Sequence, residues 1–349
     1  CGHSSSTSQG PATSSTPVPS VATSSTRAAS ATSQAARDLP DPHTLRGLTE
    51  VPELPDPKPV EGSSAQKLPV TVTDVEGNKV TIKSTSRILA LDLYGTLSRT
   101  LIGLGLGDKI VGRTVSSTEK QLHDRPVVTE NGHVLNVEAV AGLKPSVIIA
   151  DRSVGPKEAL DQLRKSGIPV VLVDPHRSVG STPQLIRTIA DAVGKPDAGE
   201  ALVKRTQEQI DQAKKQIAAW KPAKPMRVAF LYVRGNAGVF FILGSENGAS
   251  ELIQGVGADD VASDKGITTL VPANAESLVS INPDAIFVMR DGLASTGGMK
   301  GLLARAGVAN TTAGRKQRVI SIPDGISLSF GPQTGEVLTA VAKALYGVK

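Results

Sequence analysis

The sequence predicts an α/β protein of two similar lobes bridged by one long helix, behind a disordered N-terminal tether. Three observations carry that prediction. Asn136-Val-Glu-Ala-Val-Ala-Gly-Leu-Lys-Pro-Ser-Val-Ile-Ile-Ala150 aligns without a gap on Asn274-Ala-Glu-Ser-Leu-Val-Ser-Ile-Asn-Pro-Asp-Ala-Ile-Phe-Val288, 138 residues further on. Each copy reads as a short helix with an acid in its first turn, a proline stop and a buried apolar strand. One repeat at so long an interval means two lobes, because solenoid periods are far shorter. Strands also alternate with helices on both sides of residues 196–222, the pattern of a parallel sheet covered on both faces. Between them, small or apolar residues at Leu202, Thr206, Ile210, Ala213, Ile217 and Trp220 recur every three or four positions, the stripe of an amphipathic helix.

The elements follow in order. Ser and Thr fill 17 of the first 34 residues, and Pro40, Pro42, Pro52, Pro55, Pro57 and Pro59 come after them. Such a stretch has too little apolar surface to offset chain entropy, so residues 1–66 are expected to be disordered. The N-terminal lobe is expected over 67–195. It begins with a hairpin, Val70–Val75 and Val80–Ile82, turned by Gly77-Asn78. A buried strand over Ile88–Asp92 leads into an apolar helix ending near Gly103, and strands at 109–112, 146–150 and 168–173 follow. The connecting helix over 196–222 is closed by Lys221-Pro-Ala-Lys-Pro225. The C-terminal lobe over 223–349 restarts with the strand Arg227–Val233 and finishes with an amphipathic helix from about Pro332 to Tyr346.

Composition narrows the function. The chain has 349 residues, 39% hydrophobic, with a net charge of +5 and no Lys/Arg block interleaved with aromatics, which argues against nucleic acid as a partner. Cys1 is the only cysteine, so no disulfide framework is expected, and its place at the first position, without an initiator Met, suggests a processed end.

Two places carry candidate chemistry. His133 stands in Thr129-Glu-Asn-Gly-His-Val134, a loop just ahead of the first repeat, whereas His123 and His176 lie in polar, turn-rich sequence. Tyr232-Val-Arg234 ends the first strand of the second lobe, where an open α/β sheet places its ligand crevice. Residues two apart on a strand face the same way, so Arg234 is expected to reach the Tyr232 oxygen and favour the phenolate, a hard anionic donor suited to ferric iron. Taken singly, His133 reads as a solvated loop histidine and Tyr232 as a sheet-edge tyrosine. A competing motif is Leu91-Asp-Leu-Tyr-Gly-Thr-Leu97, which is similar to the nucleophile segment of haloacid dehalogenases, with Gly257-Ala-Asp-Asp260 as its distant acidic partner. Gly103-Leu-Gly-Leu-Gly107 lacks the spacing of a dinucleotide loop and follows a helix.

The repeated Asn-x-Glu segments, the Lys-Pro and Asn-Pro before the strands, the single bridging helix and Cys1 together resemble the helical-backbone (class III) substrate-binding lipoproteins of bacterial ABC importers, over residues 67–349. The resemblance implies two Rossmann-like lobes, no enzyme activity and a ligand such as haem, a ferric siderophore or cobalamin. It implies that Cys1 is acylated and anchors the protein to the outer face of the cell membrane, and that Glu138 and Glu276, one per lobe, dock on the membrane permease. Among haem-binding members a His or Tyr before the first Asn-x-Glu helix faces a Tyr after the first strand of the second lobe. His133 and Tyr232 occupy those places, so the resemblance implies ferric haem b, as transported ligand, held axially between them, with Arg234 in support. Thr96, Ser98 and Arg113 are candidates to meet the propionates. A siderophore cleft usually holds several Arg, Tyr and Trp residues, whereas this chain has three Tyr and one Trp, on the connector. A zinc receptor needs a cluster of ligands not visible in the spacing.

Overall fold

The computed structural model describes residues 38–61 and 65–349. Cys1 and the tether as far as residue 37 lie outside the described residues. The first strand, β1 (Leu48–Glu50), belongs to the C-terminal lobe and is taken up below.

The N-terminal lobe opens with the antiparallel hairpin β2 (Val70–Thr73) and β3 (Lys79–Ile82). Its sheet holds β4 (Ile88–Leu91), β5 (Ile110–Gly112), β8 (Val147–Ala150) and β9 (Val170–Leu172), all parallel, in the order β5-β4-β8-β9. Every residue of β4 and of β8 is buried, as a parallel strand covered on both faces requires. A small antiparallel pair, β6 (Thr129–Glu130) and β7 (Val134–Leu135), stands outside this sheet.

The C-terminal sheet is built on β10 (Arg227–Arg234), β14 (Ala285–Met289) and β15 (Val319–Ile322), which are parallel. It extends antiparallel through β11 (Val239–Ile242) and β13 (Val271–Pro272), while β12 (Asp259–Asp260) pairs with the start of β10. The antiparallel edge departs from the expected all-parallel sheet. It forms because the chain reverses through Gly235, in a left-handed conformation (φ 65°), and folds straight back on β10.

Both repeat helices, Val137–Gly142 and Ala275–Ile281, start on an asparagine whose side chain accepts a backbone N–H, from Ala139 at 3.0 Å and from Ser277 at 2.9 Å. Both end on a left-handed residue, Lys144 (φ 50°) and Asn282 (φ 36°), immediately before the proline. The shared spelling is therefore a shared start-and-stop geometry.

The connecting helix runs from Pro196 to Trp220, about 37 Å at 1.5 Å per residue. Leu202 and Val203 join the N-lobe core, and Ala213 and Ile217 join the C-lobe core. Helices Thr182–Ala192 and Thr334–Tyr346 press against it at Gly199 and Gly335, where a Cβ would overlap Ala190 and Gln209.

The boundary of the tether is corrected. β1 pairs in parallel with β15, Val51 is buried in the C-lobe core and Val60 in the N-lobe core. Between them Asp56 accepts the backbone N–H groups of Lys120 (2.8 Å) and Gln121 (3.0 Å), and the Pro55 carbonyl accepts from Gln333 (2.6 Å). Residues 51–60 are thus an ordered strap crossing from one lobe to the other. Isolated apolar residues among prolines carry no periodicity, yet each finds a core, and the prolines suit an extended crossing.

Candidate functional site

In parallel sheets the crevice lies at the carboxyl ends of the strands. In this fold the two sets of ends meet: a Cβ on Gly95, in the loop after β4, would lie 3.3 Å from the Gly325 carbonyl after β15. The seam at the base of the cleft is polar and buried. Thr96 donates to the Ser329 carbonyl, Thr182 to the Phe330 carbonyl (2.9 Å) and Arg99 to Gln333 (2.7 Å).

Tyr232 lies near the end of β10, half-buried against the C-lobe core, as does Met289 at the end of β14. The Arg234 guanidinium sits over the tyrosine ring, its central carbon 4.7 Å from the centroid. Its N–H groups go to Asp324 (2.8 Å), the Val233 carbonyl (2.9 Å) and the Met289 sulfur (3.3 Å). The expectation that Arg234 reaches the phenolic oxygen is therefore corrected: strand alternation puts the two side chains on one side, and Asp324 draws the guanidinium across the ring face. Burial raises the pKa of Asp324, with the Asp291 amide and Arg234 acting in the opposite direction.

His133 is exposed in the turn Asn131–His133 between β6 and β7. Asn131 (φ 51°) and Gly132 (φ 86°) make that turn, and Gly155 N–H donates to the His133 carbonyl at 2.8 Å. The backbone is fixed and the imidazole stands in solvent. Glu138 and Glu276 are exposed in the first turns of the repeat helices.

Two proposed propionate contacts are misplaced. Thr96 is fully buried, donating to Ser329 and accepting from Arg177 (2.9 Å). Ser98 is buried too and donates to Ser117 at 3.2 Å. Both hydroxyls face the packed side of an apolar helix, Thr96–Gly103, of which every residue is buried. Arg113 is half-exposed at the end of β5 and donates to the carbonyls of Thr114 and Ser117, at 3.3 Å each.

Asp92 and Asp151 end β4 and β8, and Arg177 lies between them at 2.9 and 2.7 Å, all three side chains at most 1% exposed. Asp92 also accepts the backbone N–H groups of Gly95 and Thr96, both at 3.0 Å, at the start of the helix. Burial and the neighbouring Asp92 push the Asp151 carboxyl up to about 6, against the pull of Arg177 and Ser153. The guanidinium also lies 5.1 Å from the ring centroid of Tyr94. One signal for this cluster was present: each carboxylate directly follows an all-apolar strand. Asp92 is thus a capped, paired structural acid, while Asp260 lies in the other lobe, where it caps the helix Val261–Asp264. The dehalogenase reading falls with that separation.

Leu93 (40% exposed), Val115 (52%) and Val127 (44%) present apolar surface in the loops beyond β4 and β5. Exposed apolar groups of this size at a crevice suit an apolar ligand.

Two lobes, a long connector and a cleft at opposed strand ends define a substrate-binding protein of an ABC importer, a transport receptor and not an enzyme. The chain belongs to the periplasmic binding protein family, whose model matches residues 93–325. The heme binding protein HmuT, known from a crystal structure, is 49% identical over 88% of this chain and 99% of its own, with a TM-score of 0.86. Structures of variants of HmuT, each with one His, one Tyr or one Arg changed to Ala, match as well. YvrC of Bacillus subtilis (strain 168), an uncharacterized ABC transporter substrate-binding lipoprotein, is 27% identical over 80% of this chain and 86% of its own. A cobalamin-binding protein of Halobacterium salinarum is 24% identical over 84% of this chain and 78% of its own.

Proposed function

We propose that the protein binds ferric haem b in the interlobe cleft, with His133 and Tyr232 as axial ligands, and hands it to an ABC permease that docks on Glu138 and Glu276. The observation that carries this reading is the Tyr232–Arg234 pair at the end of β10, a phenol under a fixed cation at the carboxyl end of a central strand. The guanidinium stacks on the ring and so leaves the phenolic oxygen open, and a tyrosine oxygen is an established axial donor to haem iron. The replaced His, Tyr and Arg of HmuT stand 99 and 2 residues apart, the spacing of His133, Tyr232 and Arg234 in this chain. Leu93, Val115 and Val127 supply apolar surface for a macrocycle. The lipoprotein YvrC supports the same anchoring here, through acylated Cys1 on the outer face of the membrane.

Titration with ferric haem, followed by absorbance, is the test. A saturable Soret band with a tyrosinate-type charge-transfer feature is expected. Equal or tighter uptake of cobalamin, with no change in the haem spectrum, would move the ligand to the second class of relative.

A further inference from the structure

With Thr96 and Ser98 buried and the Arg113 guanidinium donating to the carbonyls of Thr114 and Ser117, a ligand bearing carboxylates needs a further cation at the cleft. Arg234 is held by Asp324, and Arg152, after β8, is held by Glu76 (2.7 Å) and Asp161 (3.1 Å). Arg290 is different. It directly follows Met289 at the end of β14, and Met289 accepts a hydrogen bond from the same guanidinium that covers Tyr232. Its partners are Glu53 of the strap at 2.7 Å and Asp291 at 3.5 Å. The side chains of Arg290, Glu53 and Asp291 are 41, 53 and 72% exposed. Ion pairs so open to water add little net stability, so one carboxylate exchanges for another at small cost.

We propose that Arg290 is a binding residue for a carboxylate of the ligand, and that Glu53 holds that place until the ligand displaces it. The inference rests on the haem reading, under which the carboxylate is a propionate. A guanidinium offers two parallel N–H donors to a carboxylate, which a lysine cannot reproduce. Glu53 pairs with Arg290 at the strand end, and the strap fixes Glu53 because Val51 on one side and Asp56 on the other are anchored.

The test uses the full chain and two pigments, ferric haem and its dimethyl ester, which share iron and macrocycle but differ in the carboxylates. Wild type, Arg290→Gln, Arg290→Lys and Glu53→Gln are titrated with each. Arg290→Gln is expected to lose roughly tenfold or more in affinity for haem and nothing for the ester. Arg290→Lys recovers only part of the loss, and Glu53→Gln binds haem at least as tightly as wild type. Equal losses for both pigments, or none for either, overturn the assignment of Arg290. Failure of the wild type to bind either pigment overturns the haem reading itself, and this inference with it.

Discussion

The guanidinium of Arg234 sits over the ring of Tyr232, its central carbon 4.7 Å from the centroid, and is held there by Asp324 at 2.8 Å. A cation over the ring is attracted to its π face and leaves the phenolic oxygen open.

If Tyr232 holds the haem iron, removing that cation loosens the seat of the ring without removing the donor. Arg234→Ala is expected to lower ferric-haem affinity by about 10–100-fold, the usual range for a group that tunes a ligand from outside. Tyr232→Phe is then expected to lose more than either Arg234→Ala or His133→Ala, since it deletes the oxygen donor itself. Reduction to ferrous haem should erase much of the difference. Resonance Raman spectra of the three variants check this, and unchanged spectra in both His133→Ala and Tyr232→Phe would remove the axial pair.

The buried Asp92–Arg177–Asp151 cluster sets a pH dependence of stability. The Asp151 carboxyl titrates near 6 in the fold, above the ordinary value near 3.9 of the unfolded chain. Between those values the folded state holds the extra proton, so the contribution of this group rises as pH falls from about 7 towards 4, by roughly 2–3 kcal/mol at most. Asp151→Asn mimics the protonated form. Its urea midpoint should exceed that of wild type at pH 7 and converge with it near pH 4. A variant that is less stable at pH 7 would contradict the repulsion assigned between the two carboxylates.

Arg177 is the counterpart. Arg177→Met leaves two buried carboxylates facing each other without a cation, and breaking such a pair costs about 3–5 kcal/mol. Adding Asp92→Asn should restore part of the loss. Denaturation of the single and double variants gives the comparison.

If Glu138 and Glu276 dock on basic groups of the permease, Glu138→Lys with Glu276→Lys abolishes uptake and leaves haem titration unchanged. Each contact broken at such an interface costs about 2–5 kcal/mol. Transport at the wild-type rate would sink the docking role.

Closure around ligand should be small. The lobes are joined by the helix Pro196–Trp220, by the strap at residues 51–60 and by the polar seam at Thr96, Thr182 and Arg99. X-ray scattering of ligand-free and haem-loaded protein should give nearly equal radii of gyration for the ordered body, and a marked contraction would contradict the stiffness of these links.

Much of the frame was readable in the sequence because it is written in local rules. Asn136 and Asn274 announce helix starts, Pro145 and Pro283 announce stops, and the all-apolar runs of β4 and β8 announce buried parallel strands. What failed depends on distant partners. Val51 and Val60 look like solitary residues in a proline-rich leader until two separate cores receive them. Thr96 and Ser98 look like polar groups at a loop mouth until Ser329, Arg177 and Ser117 claim them. The side of the strand occupied by Arg234 followed from alternation, but the atom it touches was decided by Asp324, 90 residues later. Arg177 gave no local sign, because its two carboxylates, Asp92 and Asp151, follow two strands distant from it in sequence.

The pairing of β1 with β15 has a practical meaning for anyone shortening this protein. A chain begun at residue 67, where the compositional change suggests a natural border, loses the outermost strand of the C-terminal sheet. β15 would then offer a bare row of backbone donors and acceptors beside the vacated seat of Val51. Exposed strand rims recruit other chains, so the trimmed protein should self-associate more readily than the full chain. The leader that reads as a mere leash is, over its last third, the selvedge that keeps the sheet from fraying into its neighbours.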